Sequence, residues 1–206
     1  MSKVLILNGS PRVNGNTSIA IREMENVFRN SGVEVTTMQI GNKDIRGCIA
    51  CNQCSEIGKC VFDDIVNELA PLFEAADGLV IASPVYYASA NGSLYSFLDR
   101  LFYAGSCFAF KPAAAVASAR RAGTTATLDS MNKYFTISQM PVVSSQYWNM
   151  VHGNSPEEVE QDLEGLQVMR TVGKNMAWLL HCIEAGKAAG ITTPEPEQRL
   201  RTNFIR

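Results

Sequence analysis

Lys3-Val-Leu-Ile-Leu-Asn-Gly-Ser-Pro-Arg-Val-Asn-Gly-Asn-Thr-Ser18 runs from an apolar stretch into a loop dense in hydrogen-bond donors. Four of the five residues from Lys3 to Leu7 are apolar, the composition of a strand buried on both faces of a parallel sheet. Downstream, Ala20, Met24, Val27 and Phe28 share one face of an amphipathic helix, and Gly32 stops it. Between strand and helix stand Gly9, Gly15, Pro11, the hydroxyls of Thr17 and Ser18, and the cation Arg12. Unpaired amides and the dipole at a helix N-terminus favour an anion, and Arg12 adds a bidentate positive charge, so this stretch has the makings of a phosphate cradle. A plain turn capped by Thr17 or Ser18 would leave Arg12 and the surplus donors without a task. The chain has neither a G-x-G-x-x-G loop with an acidic residue closing the second strand nor a G-K-[ST] run, which excludes the dinucleotide and Walker readings.

Outward from this stretch, strands and helices alternate. Strands are expected at Glu34–Ile40, Leu79–Ala82, Ala113–Ala119 and Pro141–Tyr147. Asp63 or Asp64 is expected to cap a helix whose Ile65, Leu69, Leu72 and Phe73 face inward and in which Pro71 introduces a kink. Leu94, Phe97, Leu98, Leu101 and Phe102 form a second apolar helical stripe, read as core or subunit contact. Ser155, Pro156 and Glu158 have the form of a capping box, opening an apolar pattern from Val159 through Leu163 and Leu166 to Ile183 that Gly165 and Gly173 would bend. A helix of that length covers the sheet and offers a subunit contact, so a homodimer or homotetramer is expected. His152 and His181 are read as structural. This alternation predicts an α/β fold, a doubly wound five-stranded parallel sheet of order 2-1-3-4-5 with helices on both faces. One domain over residues 1–190 is expected, with 191–206 a tail rich in Pro and charge.

The net charge of −2 gives no electrostatic reason to expect nucleic acid or an anionic membrane as partner. A strand beginning at Lys3 leaves no room for a signal peptide and no apolar run reaches membrane-spanning length, so a cytoplasmic location is expected. In that compartment six Cys point to metal or redox chemistry more than to structural disulfides. Four of them, Cys48, Cys51, Cys54 and Cys60, fall at C-x2-C-x2-C-x5-C spacing within the long connection Gly41–Cys60. So compact a run suits a cubane cluster, whereas structural zinc sites more often separate two C-x2-C pairs by a longer spacer. Plain thiols, zinc and a redox disulfide stay open as alternatives. Cys107 and Cys182, on apolar stretches, are read as buried small hydrophobes.

The first loop, with Ser10, Arg12, Asn16, Thr17 and Ser18 at G-S-x-R-x-x-x-N-T-S spacing, resembles that of the NADPH-dependent FMN reductases and their flavodoxin-like relatives. Ser83 to Gly92 is similar to a family segment that lies against the isoalloxazine ring, and Ser118 to Thr125 to a third flavin-contacting loop. The cysteine run resembles that of the iron–sulfur flavoproteins. The resemblance implies an FMN site built from the five residues just named together with Pro84, Val85, Tyr86, Tyr87, Asn91, Ser118, Arg120 and Gly123. Arg120 and Arg121 replace glycine usual in the third loop; they are read either as a cation at the flavin N1–O2 edge or as solvated surface arginines. No side-chain acid, base or nucleophile is expected to carry the chemistry, which resides on the flavin. The function implied is an FMN-dependent NAD(P)H oxidoreductase serving a small acceptor, with NAD(P)H as transient donor and a small molecule or redox protein as partner. A 4Fe-4S carrier holding its cluster on the four cysteines, and a redox sensor without turnover, are the other two readings.

Overall fold

The computed structural model describes residues 1–105, 108–198, 200–202 and 204. Strands β1 (Lys3–Asn8), β2 (Glu34–Gln39), β3 (Gly78–Pro84), β4 (Ala113–Ala119) and β5 (Met150–His152) form one all-parallel sheet in the order β2-β1-β3-β4-β5. Side chains alternate across it, as the pleat requires. Val4, Ile6, Val80, Ala82, Ala114 and Val116 pack into one buried cluster with residues of helices α1 (Asn16–Asn30) and α7 (Leu163–Ala188). Leu5, Leu7, Leu79, Ile81, Ala113 and Ala115 belong to the opposite cluster, with α3 (Ile65–Ala75), α4 (Gly92–Ala104) and α5 (Thr124–Ile137). Two single-turn helices complete the set, α2 (Cys54–Ile57) inside the cysteine loop and α6 (Pro156–Val159) after β5. The doubly wound order expected from the alternation is the one observed.

Several local expectations are corrected. The fifth strand is Met150–His152, not Pro141–Tyr147. Val142 makes only an isolated parallel bridge with Ala113 before the chain bulges away from the sheet. Across the bulge the Asn149 amide donates to Ala115 O (3.1 Å) and the Asn149 carbonyl receives Ala117 N (3.0 Å), so a side chain supplies a ladder bond that continuous backbone would have made. The apolar pattern after Ser155 is two helices rather than one. Glu158 accepts from Asn154 N (2.7 Å) and Ser155 makes no side-chain cap; α7 restarts at Leu163, capped by Asp162, whose Oδ1 receives Gly165 N (2.9 Å). Leu163 is consequently exposed. Gly165 and Gly173 lie inside one continuous helix; a Cβ on Gly173 would stand 3.2 Å from Val27, so this glycine serves the close crossing of α1.

Asp64 caps α3 through Val66 N (3.1 Å), and Pro71 lies within the span assigned to that helix. Leu72 is 42% exposed, and Val66 takes an inward place instead. Cys182 is exposed, against the buried reading, and Cys107 lies outside the described residues. Past Gly190 the described residues form neither helix nor strand.

Candidate functional site

The loops that follow β1, β3 and β4 all leave the carboxyl edge of the sheet, where open α/β folds hold their ligands. They are stitched to one another. Gly9 N donates to Ala82 O (2.7 Å) and Val85 N to Ser118 O (2.9 Å), so first loop meets second strand-end and second loop meets third. A Cβ on Gly9 would lie 2.6 Å from the Leu94 side chain. Gly123 has φ +90°, and a Cβ there would stand 2.9 Å from both Ala88 Cα and Val85 Cγ1. Only glycine meets both demands.

The polar residues expected in the first loop divide into two groups. One group holds the loop. Asn8, 3% exposed, accepts from Ser10 N (3.0 Å) and donates to Gln39 Oε1 (3.0 Å) and Ser18 Oγ (3.3 Å), while Gln39 donates in turn to Ser10 O. Ser10 Oγ receives Arg12 N (3.1 Å), Ser18 Oγ donates to Val13 O (2.5 Å), and Asn16 Nδ2 donates to Gly153 O (2.6 Å). The buried hydroxyls of Thr17 and Ser118 share a hydrogen bond of 2.8 Å. The other group faces outward. Arg12 is exposed and its guanidinium has no partner among the described residues, nor do the peptide N–H groups of Val13, Asn14, Asn16 and Thr17. Gly15, the N-cap of α1, supplies no capping side chain. Four open amides at a helix N-terminus beside an unpaired guanidinium fit a phosphate monoester, which supplies acceptor oxygens and negative charge together.

In the second loop Asn91 is the N-cap of α4, its Oδ1 receiving Ser93 N (2.7 Å), and its own N–H donates to Ser83 Oγ (3.0 Å). Pro84 and Val85 are half-buried. Tyr86 and Ser89 close a tight turn through reciprocal backbone bonds of 2.8 and 3.0 Å, with Tyr87 (φ 50°) and Ala88 (φ 58°) both left-handed between them. Two non-glycine residues in that region store strain of about 1–3 kcal/mol each, a feature that concentrates at ligand clamps. The turn presents Tyr87 completely to solvent at the rim, and Tyr86 is 44% exposed. Arg120 and Arg121 are exposed after β4.

The cysteine loop follows β2 and begins at Gly41, whose Cβ would fall 2.0 Å from Gly9 O. It then descends the α4 face. Cys48, Cys51, Cys54 and Cys60 all line one pocket, walled by Ile49, Val61, Phe62, Arg100, Tyr103 and Ala104. Ala50 and Asn52 take left-handed conformations within it. Cys48 Sγ receives Ala50 N (3.4 Å), Cys60 Sγ receives Arg100 Nε (3.2 Å), and the Cys54 thiol points to Tyr103 O (3.9 Å). Among the described residues no three His, Cys, Asp or Glu converge where a single metal ion could be held. A lone ion requires all its sulfurs at about 2.3 Å from one point. A four-iron cluster instead takes each thiolate on a different iron, so its ligands need not converge on one point.

Sequence reasoning missed the groups that fasten these loops. Asn8 and Gln39 end adjacent strands and showed no pattern. Arg100 had a readable signal, a lone cation inside the stripe Phe97–Phe102. Its side chain is fully buried against Asp64 at 2.6 and 2.8 Å, beneath the Phe62 ring. Burial alone would push the Asp64 carboxyl up, but the Arg100 guanidinium and the Val66 amide outweigh it and hold the carboxyl below its ordinary range. Arg100 is raised despite its own burial, by Asp64 and Cys60.

A different cavity, of about 730 Å³, lies at the opposite edge of the sheet between Ser2, Phe110, Pro112, Leu180, Ile183 and Ile191. None of the expected site residues reaches it. The carboxyl-edge loops carry the open donors, so position and chemistry favour them over volume. No described helix is long and apolar enough to cross a membrane.

The sequence profile of the NADPH-dependent FMN reductases matches residues 2–155. The chain belongs to that family. As a member it is a flavin-dependent oxidoreductase with FMN as its cofactor. It is similar to an iron–sulfur flavoprotein of Methanocaldococcus jannaschii, at 31% identity over 191 residues, 88% of this chain and 99% of that one. Two solved structures share the family member's fold. RosB, solved with a bound 8-demethyl-8-formylriboflavin-5'-phosphate intermediate, superposes with a TM-score of 0.71 at 16% identity, covering 100% of this chain and 93% of RosB. An archaeal flavodoxin gives 0.58 at 15% identity, covering 87% and 99%, which makes the fold flavodoxin-like.

Proposed function

We propose that the chain is an oxidoreductase of the iron–sulfur flavoprotein type, carrying electrons between FMN at the carboxyl-edge loops and a 4Fe-4S cluster on Cys48, Cys51, Cys54 and Cys60. The observation that carries this reading is the gathering of all four cysteines around one pocket with N–H donors already on two of the sulfurs. The likeness to the Methanocaldococcus jannaschii protein supports it.

In this reading Arg12 and the amides of Val13, Asn14, Asn16 and Thr17 hold the FMN phosphate. Ser10, Ser18, Thr17, Asn16 and Ser118 act from behind, fixing the loop through the hydrogen bonds described above. Pro84, Val85, Tyr86 and Tyr87 offer flat surface to the ring, Asn91 and Gly123 fix the loops that carry it, and Arg120 places a cation at the edge where negative charge collects on reduction. Bound FMN supplies exchange between two-electron and one-electron transfer, and a cluster supplies one-electron transfer. Arg100 lies nine residues beyond Asn91 on α4, about 13 Å along the helix at 1.5 Å per residue, so the two sites sit on one rigid element.

The family's name favours a second reading, in which NADPH or NADH reduces the flavin directly for a small acceptor. Anaerobic rapid mixing separates the two. The first reading expects slow flavin bleaching by either nicotinamide and fast bleaching by a reduced one-electron iron–sulfur carrier. Fast bleaching by a nicotinamide, with none from the carrier, would move the assignment to the second.

A further inference from the structure

The cysteine loop is exposed over most of its length, yet its neck is fastened by one buried group. Arg100 donates to Arg46 O (3.3 Å) before the first cysteine and to Phe62 O (3.4 Å) after the last. It pairs with Asp64 through both carboxylate oxygens, and its remaining Nε–H is aimed at Cys60 Sγ (3.2 Å). Arg46 stacks on the Phe62 ring from 4.4 Å, so the two ends of the loop also meet through that ring. Asn67 completes the fastening, receiving Cys60 N (3.0 Å) and donating to Cys60 O (2.9 Å). Cys60 is the outlying member of the four, separated from Cys54 by five residues where the other steps have two between them. Its place in the pocket therefore depends on contacts from outside the loop.

We propose that Arg100 is the positioning residue for Cys60: clamped by Asp64, it closes the neck of the cysteine loop and directs an Nε–H···Sγ bond that persists when this sulfur binds the cluster. The inference rests on the cluster reading above. A hydrogen bond from a cation stabilises the more electron-rich, reduced state at sulfur, so Arg100 raises the cluster's reduction potential. Lysine cannot replace it. An ammonium can pair with Asp64, but it lacks a planar fork whose Nε is free for sulfur while both terminal nitrogens are engaged.

The test compares the parent chain with Arg100→Lys and Arg100→Gln, each reconstituted anaerobically with ferrous iron and sulfide and assayed for iron and flavin. Cluster potentials are then read by a redox titration followed by electron paramagnetic resonance. Both variants are expected to keep their flavin. Arg100→Lys should retain a cluster whose potential is more negative than the parent's, and Arg100→Gln should lose iron to a chelator at least tenfold faster. In the cluster-free proteins, trypsin should cut after Lys59 at least tenfold faster in Arg100→Gln, with a rise after Arg46 as well and, apart from the site removed at position 100, cuts outside the cysteine loop unchanged. A role in stability alone would lower iron content without moving the potential of the clusters that remain. Unchanged potential in Arg100→Lys, or unchanged cutting at Lys59 in Arg100→Gln, overturns the inference while leaving the cluster reading intact. A parent chain that takes up no iron overturns both.

Discussion

The phosphate loop and the cysteine loop leave the same edge of the sheet from adjacent strands, yet they are held in opposite ways. Residues 8–18 are fixed by their own side chains. Asn8, Ser10 and Ser18 bond to the loop's own backbone or to each other, Asn8 and Thr17 reach the side chains of Gln39 and Ser118, and glycines permit the close approach of α4 and the neighbouring loop. What remains exposed is the donor surface. Residues 41–60 bond internally around the single turn of α2 and at Cys48, and their ends are fixed from without, through Gly41 and through Arg100. A site for a constant ligand gains from donors set in advance, because no ordering cost falls on binding. A site that four thiolates complete around a cluster can leave part of its ordering to the ligand, as metal binding couples to folding.

The largest effect should come where the two regions touch. Gly41→Ala places a Cβ against the Gly9 carbonyl with no flexible side chain to yield, and it is expected to cost about 3 kcal/mol and displace both loops. Chemical denaturation and FMN titration should show lost stability and lost flavin together. Next, Asp64→Ala leaves Arg100 as a buried cation without its partner. A loss of about 2–3 kcal/mol is expected, at or below the lower end of the range for buried pairs because Asp64 is itself 31% exposed. FMN affinity should stay within twofold; a larger fall would mean the two loops are not independently held. Arg12→Ala reverses that pattern. Stability should hold while FMN affinity drops roughly ten- to a hundredfold, the worth of a charge-assisted phosphate contact of about 1.5–3 kcal/mol. Unchanged affinity by fluorescence titration would place the phosphate elsewhere. Thr17→Val orphans the buried Ser118 hydroxyl and should cost about 1–2 kcal/mol in denaturation.

The smallest effect is on pH. Asp64 has its folded pKa below the ordinary 3.8, so its contribution is complete above that value and is lost as pH falls through the lower folded value. Trypsin becomes inactive there, so pepsin cutting in the cysteine loop is the measurement, and it should rise below pH 3.8 in the parent more than in Asp64→Asn. Equal rises would assign acid loosening to other groups.

Much of this was legible in the chain because it is written in local chemistry. Apolar runs at Lys3–Leu7 and Ala113–Ala119 mark strands buried on both faces, and alternation with helical stripes sets the order of the sheet. The edge strand was misplaced because the chain leaves the sheet between Val143 and Asn149 before pairing by backbone from Met150 on; the Asn149 amide spans the gap with one bond to Ala115 O, and no periodicity records that. The break before Leu163 was hidden because apolar spacing continues across it, and only Asp162 marks the restart. Within the site, ligand-facing and loop-supporting residues looked alike in sequence. Arg12 and Thr17 both read as donors, and only burial assigns one to solvent and the other to Ser118. Arg100 was legible as an anomaly in an apolar stripe, but its partner Asp64 is thirty-six residues away and read as no more than a cap.

One chain with both an FMN site and a four-iron site would show both in a single spectrum. The direct measurement is the absorbance spectrum of protein purified without oxygen, with flavin, iron and acid-labile sulfide counted on the same sample. A two-site chain should hold about one FMN, four irons and four sulfides, with flavin bands over a broad visible shoulder. Flavin bands without iron after reconstitution would contradict it, leaving a flavin reductase whose cysteines bind no cluster.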